Sequence, residues 1–171
     1  FLPYTIAYWD NIHPIANYEL SYPITIMHAP TNRGAKGTQM ILKTLSKLKS
    51  KYKEKLNVVL IENMSHSDAI HLYQQADVII DQILVGWYGG LAVEAMKMGI
   101  PVIAYIHEDD LQFIPSHMAE ECMKTIINAT PHTLFEVIEL ILQDPKILLE
   151  KRKQSLRYVK RWHDPIQVAK I

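Results

Sequence analysis

Two glycine-bearing segments hold the residues best suited to chemistry. The first is His28-Ala-Pro-Thr-Asn-Arg33-Gly34-Ala-Lys36-Gly37, between the apolar run Pro23 to Met27 and a stretch of helical periodicity. Gly34 and Gly37 permit a tight turn and a close approach of backbone to ligand. Arg33 and Lys36 set two cations beside a helix start, where free N–H groups and the helix dipole already favour anions. Together they outline a diphosphate site; the plainer alternative is a surface turn with two solvated bases. The segment is neither a Walker loop nor a dinucleotide fingerprint.

The second segment is Asp81-Gln82-Ile-Leu-Val-Gly86-Trp87-Tyr88-Gly89-Gly90-Leu91-Ala92-Val93-Glu94-Ala95-Met96. Gly89 and Gly90 strip side chains from a helix start, so that its N–H groups can reach a phosphate. Glu94 lies one turn in from Gly90, on the same face, and helical side chains lean towards the N-terminus. A carboxylate there repels phosphates but accepts hydrogen bonds from neighbouring hydroxyls, such as those of a ribose. The alternative is a solvated or helix-capping Glu94, which the apolar run around it disfavours.

Other candidates are weaker. Glu62-Asn-Met-Ser65-His66 follows the second strand, where Ser65 can contact a nucleobase edge or simply cap the next helix. The histidines are scattered without a metal-binding pair, and His107-Glu108-Asp109-Asp110 reads as a solvated loop, so no metal and no cofactor are expected. Lys151, Arg152, Lys153, Arg157, Lys160 and Arg161 give the last helix a basic face, suited either to lipid headgroups or simply to water.

The elements that position these residues alternate. Strands are expected over Pro23 to Met27, Asn57 to Ile61, Asp77 to Ile80, Pro101 to Tyr105 and Lys124 to Ile127. Helices are expected from Thr38 (as N-cap) to Ser50, from Ser67 to Ala76, and from Gly89-Gly90 to Met98, ended by Gly99. Two more start at Thr130 or Pro131 and at Pro145, and Asp109 to Glu121 reads as a loop with a short helix. Continuous apolar strands between amphipathic helices imply a parallel sheet of five to six strands in a three-layer α/β/α, Rossmann-like sandwich. Such sheets bind ligands at the carboxyl ends of their strands. The loops after Met27, Ile61, Ile80 and Tyr105 are therefore where a site belongs.

The segments above carry a resemblance. The chain resembles the C-terminal domain of GT-B-fold retaining glycosyltransferases, the large family that includes bacterial glycogen synthase and sucrose synthase. It covers Tyr22 to Asp164, including Gly99-Ile-Pro101-Val102 after the second segment. The resemblance implies that Lys36 contacts a donor diphosphate and that Glu94 holds ribose hydroxyls. It also implies that the backbone of Gly89, Gly90 and Leu91 faces the phosphates and sugar. Two positions depart from it. Gly86 stands where the family has a first, sugar-facing glutamate, with Asp81 as the nearest substitute acid. Thr31 stands where the family arginine commonly lies, leaving Arg33 as the available guanidinium. The implied role is the donor half of an enzyme using a UDP- or GDP-sugar in cell-surface polysaccharide synthesis. Arg33, Lys36 and Glu94 serve catalysis; Ser65, Asp81, Gly89, Gly90 and Leu91 complete the donor site. A missing N-terminal domain is expected to bring the acceptor. On this reading residues 1–22 are an interdomain connector, 23–164 the nucleotide-sugar domain and 165–171 a tail.

Bulk properties agree. The chain has 171 residues, 49% hydrophobic, with 18 Lys+Arg against 18 Asp+Glu. Zero net charge argues against a nucleic-acid binder. The single Cys122 points to a reducing compartment, and no apolar run approaches the roughly 20 residues that span a bilayer. A cytoplasmic place, in reach of the inner membrane face, is the simplest expectation. The Phe1-Leu2-Pro3-Tyr4 start lacks signal-peptide features and reads as a boundary inside a longer protein. Three rivals remain open: a sugar-nucleotide epimerase or phosphorylase on the same fold, a non-catalytic nucleotide-binding module, and a phospho-acceptor domain using Asp81. The last needs acids after the first strand, where His28-Ala29 stands.

Overall fold

The computed structural model describes residues 3–170; the extreme ends of the expected connector and tail, residues 1–2 and 171, lie outside them. Five parallel strands form one sheet: β1 (Ile24–His28), β2 (Leu56–Leu60), β3 (Val78–Gln82), β4 (Val102–Ala104) and β5 (Ile127–Asn128). Their order is β2-β1-β3-β4-β5, so the chain reverses direction across the sheet at the β1/β3 pair. The helices are α1 (Arg33–Lys36), α2 (Thr38–Tyr52), α3 (His66–Tyr73), α4 (Gly90–Lys97), α5 (Ser116–Thr125), α6 (Leu134–Gln143), α7 (Ile147–Trp162) and α8 (Pro165–Val168). The fold is the expected three-layer, Rossmann-like α/β/α sandwich.

Strand residues alternate between two apolar layers. Ile24, Ile26, Val78, Ile80 and Ile103 face Ile41, Leu45 and Leu48 of α2 and Leu134, Ile138 and Ile141 of α6. Met27, Ile79, Val102 and Ala104 face the other layer, built from α3, α4, α5 and much of α7. Each fully buried Ile of the sheet contributes roughly 1.5–3 kcal/mol through lost water contact.

Several expected boundaries shift for identifiable reasons. Lys124 and Thr125 are not strand but the end of α5: Met118, Cys122 and Thr125 fall at helical spacing and are buried. The strand is thereby confined to Ile127–Asn128. The loop after β1 contains an unforeseen helical turn, α1, capped by Asn32, whose side chain accepts from the Ala35 N–H at 2.9 Å. Thr38 is not an N-cap. Gly37 caps α2 at φ 74°, and Thr38 is its first residue, with its hydroxyl turned inward. Arg152 does not belong to a basic surface: it is buried, its guanidinium 3.6 Å from the ring centre of Tyr18.

The segment before β1 lies along the domain. Ile12 is in the core, the Ile15 N–H donates to Met98 O, and Trp9 covers the Lys97 ammonium. Tyr18 donates to Asp77 and Tyr22 to Leu142 O.

Candidate functional site

The site builds from a polar interruption in an apolar strand. β3 reads Val-Ile-Ile-Asp81-Gln82, and all five residues are buried. Its pairing with β4 slips between Ile80 and Gln82, a bulge of the kind that re-aims side chains beside sites. Asp81 is completely buried, and a buried carboxylate costs several kcal/mol unless it is paired. Here both oxygens are engaged: Oδ1 takes the Lys36 ammonium, and Oδ2 accepts from the Gly89 N–H at 2.6 Å. One acid thus ties the loop after β1 to the turn before α4. Gln82 shapes the intervening loop. Its Oε1 accepts from the N–H groups of Leu84 and Val85 at 2.8 and 2.7 Å; its Nε2 donates to Trp87 O and Tyr105 O at 2.9 and 2.8 Å.

Gly37 lets these loops touch. Any Cβ there would lie 2.7 Å from Cγ1 of Ile83, and the Ile83 N–H donates to Lys36 O. Beneath them His28 is buried. Its Nδ1 donates to Ile80 O at 2.8 Å, leaving Nε2 to accept from the Thr38 hydroxyl at 2.9 Å. Burial, reinforced by the Lys36 charge, holds its pKa below the ordinary histidine range despite the Ile80 carbonyl. Gly89 caps α4 without a side chain, and a Cβ at Gly90 would meet nothing within 4 Å. Among the described residues the N–H groups of Gly90 and Leu91 have no partner. The start of α4 therefore presents free donors and dipole charge to open space.

The other predicted residues gather one strand away. Arg33 makes a bidentate pair with Glu62, at 2.7 and 2.8 Å, with its side chain 59% exposed. The guanidinium is open to solvent, so it can exchange the carboxylate for another anion without first being desolvated. Glu94 receives His66 Nε2 at 2.8 Å. Ser65 is spent on its helix: it donates to the Asp68 carboxylate and accepts from the Asp68 N–H. Between the β1 and β2 loops lies a cavity of about 480 Å³, lined by residues including Pro30, Arg33, Met64, Ser65, His66 and Tyr73. Burial, with the charges of Glu94 and Asp81, pushes the Tyr73 hydroxyl up to about 12, so it stays a donor.

Lys36, Asp81 and Gly89 are thus in direct contact, Arg33 and Ser65 line the adjoining cavity, and Glu94 reaches it only through His66. Two roles were missed: Asp81 as the bridge between two loops, and His66 as the partner of Glu94. The polar pair Asp81-Gln82 in an apolar strand marks the place of the first, but nothing local names either partner. Gly86 adopts φ 86°, and a Cβ there would stand 3.2 Å from that of His107. The backbone at that position favours glycine, not the glutamate of the resembled motif. His107 lies 4.0 and 3.5 Å from the carboxylates of Asp109 and Asp110. Among the described residues no group of three or more His, Cys, Asp or Glu could hold a metal ion, and no helix is long and apolar enough to cross a membrane.

No curated protein sequence matches the chain. Solved structures match its fold. Sucrose-phosphate synthase from Thermosynechococcus elongatus aligns with TM-score 0.60 at 17% identity, over 97% of this chain and 47% of that one. The pneumococcal O-GlcNAc transferase GtfA, in complex with UDP and GlcNAc, aligns with TM-score 0.60 at 13% identity, over 93% and 37%. WaaG, a glycosyltransferase involved in lipopolysaccharide biosynthesis, aligns with TM-score 0.57 at 14% identity, over 93% and 51%. The chain therefore spans about half or less of the length of these structures. The family model described as glycosyl transferases group 1 matches residues 35–162, well over half of the 171. On that match, over the span that carries Lys36, Asp81, the Gly89–Gly90 turn and Glu94, the chain belongs to the glycosyl transferases group 1 family.

Proposed function

We propose that this chain is the donor-binding half of a retaining glycosyltransferase and holds a nucleoside-diphosphate sugar, UDP- or GDP-linked. The observation that carries the reading is the joining of Lys36 and the Gly89 turn through buried Asp81. It places one cation and the free N–H groups of Gly90 and Leu91 at neighbouring strand ends. A diphosphate bridging them gains charge-assisted hydrogen bonds and the α4 dipole. Preorganised donors of this kind stabilise a diphosphate leaving group without a metal. Arg33, exposed beside Glu62, exchanges that carboxylate for the outer phosphate. Glu94, oriented by His66, accepts from the ribose hydroxyls, and the 480 Å³ cavity takes the base. Asp81 holds Lys36 and Gly89 rather than touching the sugar, because its carboxylate is fully buried between them.

In the longer protein, residues 1–22 lead to a second domain that brings the acceptor. Cell-surface polysaccharide synthesis at the cytoplasmic membrane face is the proposed setting, in line with the involvement of WaaG in lipopolysaccharide biosynthesis. Titration calorimetry with UDP, GDP and ADP tests the binding claim. One of the three binds, and Lys36→Ala or Glu94→Ala weakens it by at least about tenfold. Unchanged binding in both variants rejects the site.

A further inference from the structure

His66 has a cavity on each side. Opposite the proposed nucleotide cavity, a second one of about 430 Å³ lies between the N-terminal segment and α3. Its floor is apolar, made by the core residue Ile12 and the half-buried Ile70. Tyr8 forms one wall. It is 68% exposed, its ring centre is 6.1 Å from that of His66, and its backbone is left-handed at φ 59°. Such a backbone is uncommon for a residue with a side chain, and here it holds the ring out from the chain at the start of a short helical turn.

Asn11, Ser67, His71 and Gln74 stand around the rim. Among the described residues none of these four side chains has a hydrogen-bond partner in the protein. No Asp, Glu, Lys or Arg lines the cavity. A phosphate or carboxylate ligand finds no countercharge there. A wholly apolar ligand would strip water from four polar side chains and return nothing. An aromatic wall, an apolar floor and a rim of neutral donors and acceptors suit a ligand with apolar faces and an edge of uncharged hydroxyls.

We propose that this cavity is a subsite for an uncharged saccharide, with Tyr8 stacked on a pyranose face and the rim side chains taking its hydroxyls. The lining of the cavity carries the proposal without the nucleotide assignment. Only His66 separates the cavity from Glu94.

Saturation-transfer NMR and calorimetry on the full chain test it. The probes are the β-linked trisaccharides of glucose and of N-acetylglucosamine, with a sulfated heparin disaccharide as the charged control. One neutral trisaccharide is expected to bind, with saturation reaching its ring protons. Tyr8→Ala and the pair His71→Ala/Gln74→Ala each weaken it by at least about tenfold. Tyr8→Phe keeps the affinity, and the His71/Gln74 pair leaves UDP affinity unchanged. Tyr8, His71 and Gln74 are all exposed, so the variants retain the parent melting temperature. Binding by neither trisaccharide overturns the proposal. So does equal binding of the sulfated control, or wild-type affinity in both Tyr8→Ala and the rim pair.

Discussion

The buried carboxylate of Asp81 decides how the site responds to substitution. Removing Lys36 leaves that charge without its ion-pair partner, and breaking a buried pair costs more than the pair was worth. Lys36→Met is therefore expected to lower the unfolding free energy by about 3 kcal/mol, near the lower bound for buried pairs because Lys36 retains some exposure. Adding Asp81→Asn removes the orphaned charge while its amide oxygen still accepts from Gly89. The double variant recovers about 2 kcal/mol in urea denaturation; additive losses would show that the pair is not coupled. A second substitution addresses the departure at Gly86. Gly86→Glu meets a left-handed backbone and the side chain of His107. It is expected to lower stability by about 1–2 kcal/mol without improving donor binding. At this scale the sequence was legible where type and spacing carry chemistry: Lys36, the Gly89–Gly90 turn and Glu94. It was silent on partners. That Asp81 bridges two loops depends on a bulge in β3, which no local pattern announces. That Glu94 meets His66 depends on α3 and α4 lying side by side.

Between elements, three parts of the chain converge on Tyr88, immediately before the turn that opens α4. Its hydroxyl lies 2.8 Å from that of Tyr158 and 3.0 Å from His163 Nε2, both at the end of α7. His163 Nδ1 donates to Tyr4 O at 2.6 Å, and the Tyr4 hydroxyl donates to Tyr88 O at 3.0 Å. The N-terminal segment and the last long helix thereby clamp the phosphate turn from behind. Burial pulls His163 down to about 4, against the opposing pull of the Tyr4 carbonyl. The folded pKa of this base lies below its unfolded value near 6.5, so the neutral form is the stabilising one. Its contribution is complete above pH 6.5 and is lost as pH falls towards 4. The full loss is about 3 kcal/mol, and buried His28 acts in the same direction. Thermal melting of His163→Gln should be flatter than wild type across that window; an identical pH profile would remove His163 from the clamp. Element types were legible from apolar periodicity, as α2 and α4 illustrate. The fifth strand was not, because Thr125 favours strand by type but is buried as the last residue of α5, with Lys124 exposed beside it, so that only Ile127–Asn128 pair with β4.

For the whole molecule, the parallel sheet and its direction reversal between β1 and β3 decide where a ligand can bind. Lys36 and Gly89 are far apart in sequence, yet they follow adjacent strands and so end at one edge. That both loops lie at one edge was legible once the strands were read as parallel, because such sheets place sites at their carboxyl ends; that β1 and β3 are neighbours was not, since strand order leaves no local pattern. The packing of residues 3–22 across the domain was not legible, since Tyr4, Tyr18 and Tyr22 act through single hydroxyl contacts with no period.

The central claim is that these two loops form one anion site. Amide chemical-shift perturbation on titration with UDP and with inorganic pyrophosphate tests it residue by residue. The expected result is that Lys36, Gly37, Gly89, Gly90 and Leu91 move together with either ligand, and that the His66 and Glu94 signals respond only to the nucleotide. Shifts confined to one loop, or centred on the amino ends of the strands near Thr25 and Asp77, would contradict it.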